Sequence, residues 1–328
     1  MKKTQLVVDL GGTKISSAIL INHRIIARDN RPTLAHEGVN SVITRLIASI
    51  EDLIEKVELD LARIEGICIA SAGIIDMNEG IVTVSPNLPG WYNVPLRYKI
   101  DHHFGIKTYL INDASAAVLG EYTFGAGKKY SNVIYVTVST GIGGGIIIGG
   151  HLYLGSSGSA GEIGHMTVKT NGPLCYCRNR GCLETLASGT AIAKEAISSV
   201  KKGKVTSLVE MVGGQVDSIT AKEVSIAAQN GDELARRIIS KAATYLGIGM
   251  ANVINILNPE IIIIGGSVSK IGDLLFKPVK QQVLKLAFKL PAQKVRIVTS
   301  GLGDDAGLIG GALFTRQRNE SIRSISSS

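Results

Sequence analysis

The sequence predicts an α/β fold in which strands and helices alternate along the chain. Short apolar runs rich in β-branched residues stop at glycine pairs, as in QLVVDLGG and EIIIIGG, and longer apolar or amphipathic stretches lie between them. The composition agrees, because 38 of the 328 residues are glycine, 45% are hydrophobic and only 19% are charged. Such a chain is long enough for two domains and apolar enough for a large core.

Two segments about 130 residues apart along the chain share the order strand, glycine turn and strand. The first consists of QLVVDL, GGTK and ISSAILI, and the second of VIYVTVS, TGIGGG and IIIGGHLY. Each segment predicts a β-hairpin. The repetition favours two related lobes.

The other elements follow from the same patterns. We expect a helix over about 39–61, a strand in GICIASAG, and a strand TYLIND that leads into the helix ASAAVLGEYTF. Further on, KKGKVTSLVEMVGG and ITAKEVSIAAQNG predict the helices and loops of an inserted region, and EIIIIGGSV predicts a short buried strand.

Two stretches, 130–161 and 242–259, contain no Asp, Glu, Lys or Arg. The first has a glycine cluster between β-branched runs and predicts strands, and the second predicts a buried helix that ends before Pro259. The N-terminal apolar run is too short for a signal peptide. We therefore expect no membrane span, and a cytoplasmic location.

The chain is basic, with a net charge of +8, and seven basic residues but one acid lie between Lys270 and Arg296. A nucleic-acid surface is one interpretation of this charge. Lysines at 277, 280, 285 and 289 recur at helical intervals, which favours a solvated helix face instead. We expect no nucleic-acid partner.

The two glycine turns are candidate phosphate sites. In Asp9-Leu10-Gly11-Gly12-Thr13-Lys14 a carboxylate ends a strand, and two glycines let backbone N–H groups approach an anion. The spacing is neither that of a P-loop nor GxGxxG before a helix, so an ordinary hairpin turn remains an alternative. The second turn is 139–145, where a hydroxyl pair precedes four glycines. Two such turns would hold the two ends of a triphosphate.

Asn112 and Asp113 follow the strand TYLI and open a helix, the place where α/β folds often carry functional groups. Capping of the helix by one of these side chains is the structural alternative. Phosphoryl transfer to an alcohol needs a carboxylate that takes the hydroxyl proton. Asp113 is the natural candidate for that role.

Three of the four cysteines lie within eight residues, at Cys175, Cys177 and Cys182, ten residues and more after His165. Three thiols and one imidazole suit tetrahedral zinc in a reducing compartment. Four protein ligands would close the shell and make the metal structural, while free thiols with an unrelated histidine are the alternative. A metal there would also fix Glu162 and Glu184, whose carboxylates suit a polyol.

Seven motifs occur in one order along nearly the whole chain: DLGGTK, SPNLPGW, INDA, STGIGGG, GEIGH, CxCx4CxE and GLGDDAGLIGGA. In that order the sequence resembles the bacterial ROK family of sugar kinases. The resemblance implies the two-lobed actin-like (ribonuclease H-like) ATPase fold of hexokinases, with a structural zinc loop. It also implies an ATP-dependent hexose kinase of the glucokinase type, making glucose 6-phosphate.

The resemblance assigns roles to individual positions. Asp113 would be the general base, and His165 would give one ring nitrogen to zinc and the other to a sugar hydroxyl. Asp9 would orient Mg²⁺ through water. The sugar-binding residues would be Gly73, Asn87, Asn112, Asp113, Glu162, His165 and Glu184. The nucleotide would lie at Gly11, Gly12, Thr13, Lys14, Thr140, Gly141 and Gly143, with Gly265 and Gly266 near the nucleoside.

Two positions depart from the family pattern. Arg178 replaces the glycine that commonly follows the second cysteine, and Ala72 stands where a proline often precedes Gly73.

Two other functions remain open: a kinase of N-acetylmannosamine or N-acetylglucosamine, and a non-catalytic sugar-sensing regulator. Family repressors carry a helix-turn-helix before this region, for which a first strand beginning near residue 4 leaves no room.

The resemblance also implies an organisation into domains. We expect a first lobe over 1–120 and a second over 121–305 that holds the zinc loop. A helix over about 306–318 would pack back on the first lobe, and 319–328 would form a short tail. A homo-oligomer, dimer or tetramer, is typical of the family.

Overall fold

The computed structural model describes residues 4–326. The protein has a mixed α/β fold, as the sequence predicts. By contacts, the chain divides into two units. Unit 1 comprises Met1–Lys129, Gly145–Gly161 and Gly301–Ser328, and unit 2 comprises Tyr130–Gly144 and Glu162–Ser300.

Unit 1 contains a five-stranded sheet of order β3-β2-β1-β4-β8. Its strands are β1 (Thr4–Leu10), β2 (Lys14–Ile21), β3 (Arg24–Pro32), β4 (Ile64–Ser71) and β8 (Thr108–Asn112). The pairs β1–β2 and β2–β3 are antiparallel, whereas β1–β4 and β4–β8 are parallel. A separate antiparallel sheet is formed by β5 (Ile74–Asp76), β6 (Ile81–Val84) and β7 (Tyr92–Val94).

Both faces of the central strands of unit 1 are buried, because alternate side chains enter two hydrophobic clusters. The α-helices described in this unit are α1 (Val39–Lys56), α2 (Leu96–Phe104), α3 (Asp113–Phe124) and α11 (Ala306–Ser326). Helices α1 and α2 contribute to one cluster, together with Leu6, Val8, Ile67, Ile69 and Leu110. Helices α3 and α11 contribute to the other, together with Val7, Cys68, Ala70 and Ile111.

Helices α3 and α11 approach each other closely, and glycine makes that approach possible. A Cβ atom on Gly310 would lie 1.7 Å from the carbonyl oxygen of Ala116. No side chain fits there, so the GLIGG segment is a packing requirement of this helix pair.

The second five-stranded sheet has the order β11-β10-β9-β12-β13. Its strands are β9 (Val133–Val138), β10 (Ile142–Ile148), β11 (His151–Leu152), β12 (Ile261–Gly265) and β13 (Arg296–Thr299). Strand β12 is parallel to both β9 and β13. The helices of unit 2 are α4 (Glu184–Ala187), α5 (Gly189–Lys201), α6 (Leu208–Met211), α7 (Ala221–Gln229), α8 (Glu233–Leu257), α9 (Asp273–Leu286) and α10 (Lys289–Lys294).

The structure confirms both predicted glycine-turn hairpins and changes some boundaries. The glycines of IGGG lie inside β10 rather than in the turn, which is limited to 139–141. The first predicted helix ends at Lys56 and not near 61. Helix α11 continues beyond 318, where Asn319 bonds with Tyr109 and with the Glu65 carbonyl. The last two residues of the predicted tail lie outside the described residues.

The two uncharged stretches are strands and a packed helix, as predicted. Residues 242–257 belong to α8, which packs against α7 and α9. Among residues 4–326, no helix is long and apolar enough to cross a membrane. The lysines at 277, 280, 285 and 289 are all exposed, as the helical spacing predicts.

One buried carboxylate fixes two distant pieces of unit 1. Glu121 in α3 is fully buried. Its Oε2 accepts hydrogen bonds from the N–H groups of Ala126 (2.8 Å) and Gly301 (3.1 Å), and its Oε1 accepts one from Leu302 (2.8 Å). The Glu121 side chain therefore holds the backbone at Ala126 together with the backbone at Gly301 and Leu302.

Glu121→Gln should lower the free energy of unfolding by about 2 kcal/mol, because the new NH₂ group would face a buried N–H donor. The matched control is Glu260→Gln. Glu260 also accepts two backbone N–H groups, from Ser131 and Asn132, but it is exposed, so water can replace it. Urea unfolding measures both losses, and equal losses would contradict this account of Glu121.

Candidate active site

In unit 1, the candidate residues collect at the carboxyl end of the parallel strands. The register pairs Asp9 of β1 with Ala70 of β4, and Ser71 of β4 with Asn112 of β8. Parallel strands end at the same edge, so residues far apart in sequence meet there. Gly73 follows β4 and accepts a hydrogen bond from Asn112 Nδ2 through its carbonyl oxygen, at 3.2 Å.

Asn112 caps α3. The sequence left open whether Asn112 or Asp113 has this capping role. Asn112 Oδ1 accepts hydrogen bonds from the N–H groups of Ala114 (3.0 Å) and Ser115 (3.1 Å). Asp113 is the first helical residue, and its Oδ1 accepts the Ala114 N–H at 2.8 Å. The capping role therefore belongs chiefly to the asparagine, and the Asp113 carboxylate keeps capacity for another partner.

Asp9 and Asp113 form a like-charged pair. The pKa of Asp9 is raised to about 7, mainly by burial and then by the charge of Asp113, with a smaller contribution from Asp304 and a partial offset from Lys14. Burial also raises the pKa of the Asp113 carboxyl, against hydrogen bonds from Ala114 and Asn112 that lower it. Two carboxylates in this position suit a bound cation or a proton acceptor.

The first glycine turn is held against the segment that contains Asn87. A Cβ on Gly12 would lie 2.5 Å from the Asn87 carbonyl oxygen, so only glycine fits. The turn is closed by a hydrogen bond from the Gly11 N–H to the Lys14 carbonyl, at 3.0 Å. The structure therefore brings the predicted phosphate turn and the predicted sugar-binding Asn87 together.

Thr33 supports the same turn, a role that the sequence does not predict. Its hydroxyl donates to the Gly11 carbonyl at 2.7 Å, and its backbone N–H donates to the Thr13 carbonyl at 2.9 Å. Thr33 is fully buried. No motif surrounds it, and only the pairing of β3 beside β2 brings it to the turn, so the sequence contains no signal for it.

In unit 2, the second turn is fixed by the start of α5. The Ser139 carbonyl accepts the Gly189 N–H at 2.7 Å, and the Thr140 carbonyl accepts the Thr190 hydroxyl at 2.8 Å. Ser139 Oγ also lies 3.1 Å from Ser267 Oγ, just after Gly265 and Gly266. The candidate nucleotide residues of this unit, which are Thr140, Gly141, Gly143, Gly265 and Gly266, thus belong to neighbouring segments.

The predicted sugar-binding residues of unit 2 are Glu162, His165 and Glu184, and the first two lie close together. His165 Nε2 is 3.9 Å from Glu162 Oε2. Glu184 Oε2 accepts the N–H of Ile142 at 2.8 Å, which orients that carboxylate. Tyr176, which the sequence analysis did not single out, places its hydroxyl 2.5 Å from His165 Nε2.

His165, Cys175, Cys177 and Cys182 form a cluster that could hold a metal ion, because their ligand atoms all lie within 4.8 Å of one another. Cys175 Sγ is 3.6 Å from His165 Nδ1, and Cys177 Sγ is 3.6 Å from Cys182 Sγ. Tetrahedral ligands at zinc bond lengths are about 3.5 to 3.8 Å apart. The donor set therefore fits zinc in both chemistry and spacing.

Arg178, the departure from the family pattern, keeps a glycine-like backbone. Its φ is 69°, in the left-handed region, and its N–H donates to the Cys175 carbonyl at 2.9 Å. The cluster's turn therefore forms with arginine, at a conformational cost of about 1 kcal/mol.

The two hairpins with their glycine turns, on two five-stranded sheets, are those of an actin-like ATPase fold. The chain belongs to the ROK family, whose model matches residues 5–318. It is 38% identical to a glucokinase of Thermotoga maritima, over 97% of this chain and 99% of that one. It is also 36% identical to a xylose repressor of Caldicellulosiruptor bescii, over 84% of this chain and 68% of that one.

The fold matches a solved structure over almost its whole length. A ROK family glucokinase from Streptomyces griseus, in complex with glucose and AMPPNP, aligns with a TM-score of 0.86 at 33% identity. The alignment covers 96% of this chain and 99% of that chain. The predicted family and fold are confirmed.

Asp9→Asn should stabilise the ligand-free protein above pH 7. Since folding raises the pKa of Asp9 to about 7, the folded state holds this proton more tightly than the unfolded state does. The contribution of Asp9 to stability is thus fully present below about pH 4 and is lost as the pH rises through 7. Asparagine is neutral throughout. Urea unfolding should show a gain of about 2 kcal/mol at pH 8 and less at pH 5, and an equal gain at both would refute the charge argument.

Proposed function

We propose that this chain transfers the γ-phosphoryl group of ATP to glucose, giving glucose 6-phosphate. The chain is an ATP-dependent sugar kinase, the class of its ROK glucokinase relatives. Glucose is favoured because the glucokinase relative is 38% identical along 97% of this chain. The observation that carries the chemistry is the Asp113 carboxylate, which lies beside a helix cap that Asn112 already supplies.

Asp113 acts as the general base in this proposal. It accepts the proton of the sugar hydroxyl as the oxygen attacks the γ-phosphorus. The direction of its pKa shift supports that role, because a carboxylate whose pKa is raised by burial is a stronger proton acceptor than an ordinary aspartate. The Ala114 N–H fixes one carboxylate oxygen, which orients the other.

Backbone hydrogen bonds orient two of the proposed sugar-binding side chains, Asn112 and Glu184. In unit 2, Glu162 and Glu184 accept hydrogen bonds from sugar hydroxyls, and His165 donates one. The Ile142 N–H orients Glu184. In unit 1, the proposed sugar-binding residues are Gly73, Asn87, Asn112 and Asp113. Pre-oriented polar groups of this kind lose little entropy on binding.

The glycine turns bind the phosphates through backbone N–H groups. Gly11, Gly12, Thr13 and Lys14 serve in unit 1. Thr140, Gly141 and Gly143 serve in unit 2, where Gly265 and Gly266 contact the nucleoside. Magnesium, held through Asp9, supplies positive charge to the phosphates when bound. Asp9 fits this role, because its carboxylate is destabilised by burial and by Asp113 until a cation is near.

The cysteine cluster holds a structural zinc ion in this proposal. Four protein ligands complete a tetrahedral shell. His165 belongs both to the metal ligands and to the sugar-binding residues, so the metal orients the histidine that binds the sugar.

Asp113→Asn should lower kcat by about 10² to 10⁴-fold, because the amide cannot accept the proton. Glucose binding should be retained, and the variant should be at least as stable as the wild type, because it removes a carboxylate whose charged form burial disfavours. The assay is ADP release with MgATP across glucose, mannose, fructose, allose, N-acetylglucosamine and N-acetylmannosamine. Asp273→Asn is the control, since Asp273 is an exposed carboxylate that pairs only with Lys277 among the ion pairs of the described residues. Near-normal turnover of Asp113→Asn refutes the base, and preference for an acetamido sugar refutes glucose.

Cys177→Ser should lose the metal, because a hydroxyl is a far weaker zinc ligand than a thiolate. Metal analysis of the purified protein should give one zinc per chain in the wild type and much less in the variant. Cys68→Ala is the matched control, because Cys68 is buried in unit 1 outside the cluster and should leave the zinc content unchanged. Full zinc content in Cys177→Ser would exclude this ligand set.

A further inference from the structure

Tyr176 lies between the first two cysteines of the cluster and contacts the outer nitrogen of His165. Its hydroxyl is 2.5 Å from His165 Nε2. The two rings meet edge to face, with centroids 4.9 Å apart and an interplanar angle of 86°. On the other side of the imidazole, Nδ1 is 3.6 Å from Cys175 Sγ. Both nitrogens of His165 therefore have a partner.

The nitrogen that Tyr176 contacts is the one that the proposed function gives to the sugar. With Nδ1 directed at the cysteine cluster, Nε2 carries the N–H of the neutral ring. One N–H makes one strong hydrogen bond. A sugar hydroxyl and the Tyr176 hydroxyl cannot both accept it at full strength, so one must replace the other.

The surroundings of the Tyr176 hydroxyl also match those of a bound sugar hydroxyl. Glu162 Oε2 lies 3.9 Å from the same Nε2. A tyrosine hydroxyl is protonated at neutral pH, and the charges of Glu184 and Glu162 act on that of Tyr176. A protonated hydroxyl among an imidazole and two carboxylates has the same donor and acceptor capacity as an alcohol group of a hexose.

The side chain of Tyr176 can also be displaced from His165. It is 52% exposed, and it belongs to a loop segment rather than to a helix or strand of the core. Rotation of its side chain into solvent breaks the edge-to-face contact and the hydrogen bond with His165. The incoming sugar hydroxyl substitutes for the hydrogen bond.

We propose that Tyr176 is a sugar-site residue whose hydroxyl occupies the position of a hexose hydroxyl on His165 and is displaced when the hexose binds. This inference rests on the proposed function. Tyr176 thereby sets the affinity for the sugar, because each binding event exchanges one hydrogen bond for another instead of gaining one. Phosphoryl transfer itself does not involve Tyr176.

The test is Tyr176→Phe, which removes only the hydroxyl. Calorimetric titration with glucose, without nucleotide, should give a dissociation constant about three- to tenfold lower than in the wild type. The KM for glucose should fall similarly, while kcat stays within about twofold. Tyr176→Leu, which also lacks the hydroxyl, should shift affinity in the same direction. Zinc content should stay at the wild-type level in both variants.

Tyr98→Phe is the matched control, because Tyr98 is 67% exposed on α2 and is no part of the proposed site. It should leave glucose affinity unchanged. An unchanged dissociation constant in Tyr176→Phe with full zinc content overturns the inference. A higher dissociation constant means that the hydroxyl binds the sugar directly, and this result overturns the inference too. A wild-type chain that neither binds nor phosphorylates a hexose overturns the proposed function itself, and the inference with it.

Discussion

The candidate site of unit 1 depends on the parallel pairing of β4 with β1 and β8. That pairing places Asp9, Ser71 and Asn112 at one edge. It is stable because alternate residues of the three strands enter two separate hydrophobic clusters, so both faces of these strands are covered. A shift of one residue in register would exchange the two faces and move every polar end group. Core packing and site geometry are therefore a single constraint.

At this edge, the side chains that hold the backbone are distinct from those proposed to do chemistry. Asn112 caps α3, and Thr33 closes the first glycine turn. Glu121 satisfies three backbone N–H groups from a buried position. Because these neighbours supply the structural hydrogen bonds, Asp9 and Asp113 can remain poorly stabilised as anions. Such carboxylates favour binding a cation or a proton over an unliganded charged state.

The sequence predicts the parts of this protein that are encoded locally. The hairpins, β12 and α8 have strong periodicity or β-branched runs, and the spacing of the cysteines predicts the metal cluster. Strand β3 has no such signal, since RIIARDNRP is polar and only half-buried at a sheet edge. Glu121 looks like an ordinary helix residue, because the N–H groups of Gly301 and Leu302 that explain it lie 180 residues away or more. Contacts of that separation are set by topology, which composition and spacing do not reveal.

The cysteine loop shows how a local motif acquires a role beyond its ligands. Main-chain contacts join the loop to the residues after it, since the Leu183 N–H donates to the Met166 carbonyl at 2.9 Å, one residue after His165 and one before Glu184. A metal that holds His165 by Nδ1 thus fixes the orientation of Nε2 and the spacing of the two nearby glutamates. Tyr176 lies inside the same loop, so the segment that orients the imidazole also supplies its partner. Under the proposed function, the loop would connect metal binding to sugar recognition through one histidine, and a change at Tyr176 alone would alter the affinity without altering the proposed metal ligands.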